Sequence, residues 1–370
     1  MTYNWQQSDW REFKYDIKTL EEYLYLFSEK MGLSKGSLNA LPKEHQTQTL
    51  IDVLVSEAIK TSEIEGEFLS RIDVMSSIKN NLGLGSDTKN IRDIDAKGMA
   101  NLVTEIRNSY PLPINENVIF NWHKMIFSSK TKISVGIWRT HNEPMQVISG
   151  SYGKEIIHFE APPSNVVEKE MKLFIEWFNN TAPNGKDEIK FAPIRCAIAH
   201  LYFESIHPFE DGNGRVGRAI AEKALLQTVG YPLLLSLSVA IESDRSAYYD
   251  ALKTAQRSND ITEWLIYFIK TILKALDHSV ELINFTLQKA KLFDYYSSQL
   301  NERQTKVLKR MLEEGSKGFE GGMTAKKYMG IAKTSKATAT RDIQKLKEMG
   351  IFKSIGGGRS TAYVIQFLDE

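Results

Sequence analysis

His207-Pro208-Phe209-Glu210-Asp211-Gly212-Asn213-Gly214-Arg215-Val216-Gly217-Arg218 lies between two stretches with apolar residues at helical spacing, Ile194–Ile206 and Arg218–Gln227. A histidine closes the first helix, an acidic residue follows four positions later, and a Gly-Asn-Gly turn opens the second. Glycines on both sides of Asn213 let backbone N–H groups converge on an anion. Running that turn into a helix start adds unpaired N–H donors and the helix dipole, which together cradle phosphate. Arg215 and Arg218 share one face of the helix, where both can reach further phosphates. A carboxylate among phosphates is unfavourable unless a cation bridges them, so Asp211 implies Mg²⁺. Beside a bound nucleotide, neutral His207 can take the proton of an incoming hydroxyl. Each feature alone is ordinary: a structural histidine, a common loop, two solvated arginines. Twelve contiguous residues carrying all of them are poorly explained by coincidence.

Outward from this segment the chain reads mainly as helix. Apolar faces run through Thr49–Ser62, Val118–Ile126, Val166–Phe178, Tyr248–Ala255 and Ile261–Leu276. The exception is Gly136–Pro163, where β-branched and aromatic residues, Gly150 and Gly153, and a closing Pro162-Pro163 predict a β-hairpin. From Asn301 the pattern changes again. Helices are expected over Glu302–Glu314, Thr324–Ile331 and Ser335–Met349, followed by a small hairpin turning at Gly356-Gly357-Gly358. Three helices and a two-stranded wing describe a winged helix-turn-helix module.

Of 370 residues, 42% are hydrophobic and 25% charged, enough for two or three domains with cores of their own. The net charge of +1 excludes a polyanion-binding surface over the whole protein, but charge is unevenly spread. Residues 301–370 hold 14 Lys and Arg against 8 Asp and Glu, and the rest of the chain is net acidic. The single cysteine, Cys196, rules out an intramolecular disulfide and Cys-rich zinc sites, and its apolar surroundings predict a core residue. The N-terminus lacks a basic start followed by an apolar run, and no apolar stretch reaches transmembrane length. A cytoplasmic protein without membrane contact is expected. The other histidines, His45, His123, His141, His158, His200 and His278, show no close metal-ligand spacing and receive no role.

The segment His207–Arg218 resembles the motif of the Fic family at every position, and the resemblance extends over about residues 115–275. Members generally move AMP from ATP onto Ser, Thr or Tyr hydroxyls of proteins. The resemblance implies His207 as base and Asp211 as Mg²⁺ ligand. Gly212, Asn213, Gly214, Arg215, Val216, Gly217 and Arg218 are then the nucleotide-binding set, with the two arginines on the outer phosphates. The hairpin Trp138–Phe159 resembles the family's flap, which aligns a target segment by strand addition. Ala161-Pro162-Pro163 resembles the exit from that flap, and Tyr249 of Tyr248-Tyr249 would pack near adenine; a single aromatic at helical spacing is more often core.

Upstream, Thr61-Ser62-Glu63-Ile64-Glu65-Gly66 resembles the inhibitory motif of the same family. It implies that Glu65 pairs with Arg218 and fills space the γ-phosphate needs. The region around it, with Trp5, Trp10 and Phe13, resembles a helical domain ahead of some bacterial Fic cores. Three domains are expected: 1–100 with the inhibitory motif, 101–300 with the catalytic core, and 301–370.

Thr334–Asp342 resembles the start of a recognition helix and Gly358-Arg359-Ser360 a wing tip, which makes DNA a candidate partner beside the target protein; protein docking is the alternative. Self-association is left open. Three functions therefore compete. The first is an AMP-transferring enzyme restrained by Glu65. The second is a related enzyme using another nucleotide or removing AMP. The third is an ATP-sensing, DNA-binding regulator.

Overall fold

The computed structural model describes residues 2–85, 91–129, 132–149, 156–315, 318–358 and 361–367. Within them the chain forms α1 (Glu21–Asn39), α2 (Lys43–Ile64), α3 (Arg71–Asn81), α4 (Ile94–Ser109) and α5 (Glu116–Ile126). Strands β1 (Gln146–Ser149) and β2 (Ile156–Glu160) follow, then α6 (Ser164–Asn180), α7 (Ala192–Ile206), α8 (Asn213–Val229), α9 (Leu237–Glu242), α10 (Arg245–Ala255) and α11 (Thr262–Tyr296). The C-terminal part holds α12 (Glu302–Leu312), α13 (Ala325–Ala332), α14 (Lys336–Glu348), β3 (Phe352–Ile355) and β4 (Ala362–Ile365). The fold is mainly helical, as the periodicity predicts.

The chain divides into two compact units, Met1–Lys35 with Leu50–Asp277, and Gly36–Thr49 with His278–Glu370. In the first, α7 is central. Every residue from Ala192 to Ile206 is buried, including Arg195, His200 and Glu204. Its Tyr202, Phe203 and Ile206 join a core with Leu54, Val74, Met99, Ile119, Phe174 and Val216. Its Cys196, Ile198 and Leu201 join another with Leu24, Leu225, Leu237, Leu252, Trp264 and Phe268. Burying each such large side chain contributes about 1.5–3 kcal/mol, so α7 is pinned from both sides. The N-terminal residues belong to this unit: Trp10 and Phe13 pack edge-on against Tyr202 at 5.4 and 5.5 Å.

Two departures from the expected pattern have local causes. Helices α1, α3 and α4 lie outside the apolar faces expected above, although Met99, Leu102, Val103 and Ile106 of α4 recur at helical spacing. The buried face of α4 includes Ala96, Gly98, Ala100 and Thr104, and a Cβ on Gly98 would collide with the Met125 carbonyl, so small residues there serve close approach. The flap strands are shorter than Trp138–Phe159. Residue 139 lies outside the hairpin, its N–H donating instead to the Pro208 carbonyl. The antiparallel register pairs Gln146 with Glu160 and Ile148 with Ile157. The expected turn glycines, Gly150 and Gly153, lie outside the described residues.

The second unit has its own core of Val307, Leu308, Met311, Tyr328, Ile343, Leu346 and Phe352. Asp342 on α14 ties it together, pairing with Arg303 at 2.9 Å and accepting from Asn301 and Tyr328. Strands β3 and β4 pair antiparallel, and Met323 adds a bridge to Tyr363. Of the expected wing tip, Arg359 and Ser360 lie outside the described residues.

Candidate active site

His207 caps α7 in the left-handed conformation, φ 51° and ψ 62°, and its N–H still closes the helix onto the Phe203 carbonyl. A non-glycine residue there is strained, so the surroundings must hold it. Arg139 does so. Its Nε donates to the His207 carbonyl at 2.8 Å, and its terminal nitrogens donate to the Ile206 and Pro162 carbonyls and to Ser164 Oγ. Its backbone N–H donates to the Pro208 carbonyl. One guanidinium thus joins the backbone of His207 to the exit of the flap. Burial pulls Arg139 down to about 10, which still leaves a cation at neutral pH.

The loop beyond His207 is clamped twice. Asn213 Oδ1 accepts from the Phe209 N–H and Nδ2 donates to the Phe209 carbonyl, both at 2.9 Å. What Asn213 brings to an anion cradle is therefore its backbone. Phe209 is buried, with His123 stacked on it at 3.8 Å. His123 Nδ1 accepts from the Gly136 N–H, which leaves Nε2–H to donate to the Asp211 carbonyl at 2.9 Å. Burial lowers its pKa, in keeping with a neutral ring. Gly212, at φ 78°, starts α8, and a Cβ there would press on the Phe127 ring. Val216 is in the core, so only its backbone faces the loop.

The Asp211 carboxylate is 61% exposed, and its Oδ1 accepts from the Gly212 N–H at 2.5 Å. Among the described residues no three acidic, His or Cys side chains gather as a metal site. One carboxylate beside a phosphate cradle matches how Mg²⁺ is usually held, with substrate oxygens and water completing its shell.

At the start of α8 the cradle contains a carboxylate. Glu65 Oε1, from the end of α2, lies 2.8 Å from Arg218 and so close to Gly214 that an added Cβ would strike it. Arg218 also donates to the Thr61 hydroxyl and carbonyl at 2.8 and 2.7 Å. Burial works against the Arg218 cation, but Glu65, Tyr248 and Tyr249 together outweigh it and raise its pKa. Arg215 lies 4.8 Å over Phe127 and pairs with Glu67, just beyond Gly66. Burial raises the Glu67 carboxyl, Arg215 pulls it back, and Asp211, Asp95 and Glu65 push it up further. Tyr249 is half-buried, 5.6 Å from the Arg245 guanidinium; burial, then the Glu65 charge, raises its phenol. One turn beyond Arg218, burial and the Glu57 charge push Glu222 up to about 8. Glu57 itself accepts from Ser236 and Ser238.

The structure therefore gathers the motif, Glu65 and Tyr249 in one unit. It also brings in Arg139, His123, Glu67 and Glu204, which the sequence pattern did not single out. Thr61 was visible as the first position of the upstream motif but without a partner. An acidic residue inside the apolar run Ile194–Ile206 was the available signal for Glu204. Arg139 and His123 had none beyond their apolar neighbours.

Residues 113–225 match the Fic/DOC family model. This segment is a Fic domain. Ahead of the Fic domain, residues 3–84 match a domain of unknown function, DUF4172. A protein adenylyltransferase Fic from Drosophila mojavensis is 34% identical over 107 residues, which covers 29% of this chain and 19% of that protein. One from Nematostella vectensis is 28% identical over 138 residues, 37% of this chain and 30% of that protein. The chain thus spans between about a fifth and a third of these relatives' lengths. Among solved structures, a Fic family protein from Desulfovibrio desulfuricans superposes with a TM-score of 0.52 at 17% identity, covering 94% of this chain and 97% of that one. A Fic domain containing signaling protein from Bacteroides thetaiotaomicron gives 0.53 at 19% identity, covering 71% and 96%. These two show that the fold is shared. Among the described residues no helix is long and apolar enough to cross a membrane.

Proposed function

We propose that this chain transfers AMP from ATP to a hydroxyl side chain of a protein, itself included, and that Glu65 restrains it. The observation that carries the reading is the anionic Glu65 carboxylate seated against Gly214 and Arg218, in the cradle the α8 start offers to phosphate. In the proposed reaction the target hydroxyl oxygen forms a bond to the α-phosphorus. The α–β bridging bond breaks, its electron pair leaves with pyrophosphate, and the hydroxyl proton passes to His207. The backbone of Gly212–Gly214 and Arg215 hold phosphates, Arg218 takes the outer phosphate once Glu65 withdraws, and Tyr249 lies beside the adenine. Asp211 would hold Mg²⁺, which supplies neutralisation of the phosphate charge.

The flap fits a peptide partner. Ile148 and Ile157, paired across it, are 53% and 47% exposed. Trp5 and Arg257 donate to the Glu160 and His158 carbonyls of β2, so an added strand would align along β1. Incubation with labelled ATP, GTP, CTP and UTP, followed by mass spectrometry of the chain and of a lysate, tests the reading. AMP on hydroxyl side chains is the expected product; labelling by another nucleotide alone, or none in Glu65 variants, overturns it.

For the C-terminal unit we propose a winged helix that contacts DNA. The exposed face of α14 presents Lys336, Thr340, Arg341 and Lys345, suited to phosphates. Affinity for duplex DNA should fall steeply with salt and vanish on deletion of residues 301–370. Binding retained by the truncated chain removes DNA from the tail.

A further inference from the structure

His200, Glu204 and His207, spaced along α7 to its cap, point to a relay behind the proposed base. Glu204, one turn before His207, is buried on α7, which also buries Arg195, His200 and Ser205. Its Oε2 lies 3.5 Å from His207 Nδ1, and neither that nitrogen nor Glu204 Oε1 has a hydrogen-bond partner among the described residues. An unpartnered buried nitrogen costs free energy, and Oε2 is the acceptor nearest to His207 Nδ1, within a small side-chain rotation of a hydrogen bond. Across the helix interface, Gly217 makes room: a Cβ there would collide with Glu204 Oε1. On the far side His200 meets the Tyr248 hydroxyl at 2.8 Å. Burial alone would push the Glu204 carboxyl up, but His207, His200 and Arg218 together hold it below its usual range.

We infer that Glu204 is a positioning residue for His207, fixing the tautomer that can act as base, and that Gly217 exists here to seat it. A carboxylate facing Nδ1 favours a proton on that nitrogen, since two lone pairs would repel. Nε2 then keeps its lone pair and faces away from Glu204, free to take the hydroxyl proton. The reverse tautomer would present an N–H to the hydroxyl and could accept nothing. The inference rests on the proposed role of His207 as base and adds the residue that prepares it.

The test uses the full chain with ¹⁵N-labelled histidine and long-range proton–nitrogen correlation spectra, the His207 signals being assigned by their loss in His207→Ala. Nδ1–H with an unprotonated Nε2 is expected, and Nε2–H in the folded wild type overturns the assignment without any Glu204 variant. In Glu204→Gln the side-chain amide can donate to Nδ1 and drive the proton to Nε2. AMP incorporation should then fall about 100-fold while ATP affinity by calorimetry stays within about two-fold, because the base acts on the hydroxyl and not on the nucleotide. Gly217→Ala, otherwise favoured in a helix, should displace the carboxylate and shift the same ¹⁵N signals. A Glu204→Gln protein with wild-type rate and spectra refutes the relay even when His207→Ala is inactive. If His207→Ala itself still transfers AMP, the base assignment fails first, and the two failures are thereby told apart.

Discussion

Two halves of the segment His207–Arg218 are held by different kinds of partner. Around His207 the ties run to backbone atoms: Arg139 on three carbonyls, Asn213 on both polar groups of Phe209, His123 between Gly136 and Asp211. None of these competes with a nucleotide. At the start of α8 the arginines are met by carboxylates from the end of α2 and the turn after it, Glu65 on Arg218 and Glu67 on Arg215. These are anions, and phosphates can replace them. The contrast separates a part tied to backbone from a part tied to carboxylates, and under the proposed function it is the second part that restrains the enzyme.

The comparison can be broken most severely at His207. His207→Ala should lower AMP transfer at least about 100-fold, the usual weight of a positioned base, with calorimetric ATP affinity unchanged. Near-normal transfer would remove the backbone-tied half from the chemistry. Arg139→Met tests those ties themselves. It leaves the Pro162, Ile206 and His207 carbonyls without their donor, at about 1–3 kcal/mol for each orphaned acceptor, so urea unfolding of the first unit should show a loss of at least about 3 kcal/mol. An unmoved midpoint would show that the loop is held by something else.

On the carboxylate side, Glu65→Gln keeps size and helix propensity while deleting the charge. If the carboxylate competes with the γ-phosphate by about 1.4 kcal/mol, AMP incorporation rises about ten-fold. A brake that is steric would respond to Glu65→Gly and not to Gln, and one in which neither variant exceeds wild type leaves Glu65 without the role. The smallest effect concerns the support behind these carboxylates. Glu222 is raised to about 8 by burial and by Glu57, so its folded form binds a proton that the unfolded chain has released. Its stabilising contribution is complete below the usual glutamate pKa and is lost as pH rises through about 8. Glu222→Gln should flatten the fall in melting temperature between about pH 5 and 8, by about 2 °C or more. Parallel wild-type and variant curves would mean that Glu222 ionises freely.

Much of this was legible beforehand because it is local. The spacing of Ile194–Ile206 announced α7, the Gly-Asn-Gly turn announced the start of α8, and the order His207–Arg218 put the histidine, the carboxylate and the arginines on one loop and helix start. The pairing of Glu65 with Arg218 was also readable, through the resemblance carried by Thr61–Gly66. Tertiary structure alone decided the rest. Thr61, Glu67, Arg139 and His123 reach the site from distant stretches of chain, and only the packed fold brings their donors and acceptors within about 3 Å, the ordinary hydrogen-bond range. Helix α4 carries a countable stripe in Met99, Leu102, Val103 and Ile106, but the close approach of Met125 on α5 to Gly98 is not written in that spacing. Glu204 lay in plain view on α7, but its role depended on Gly217 of the neighbouring helix leaving space for a buried charge. Periodicity and motif order are properties of a short stretch, and the sequence determines them by itself. Which polar group satisfies which buried partner depends on distances between stretches, and those exist only once the core has closed.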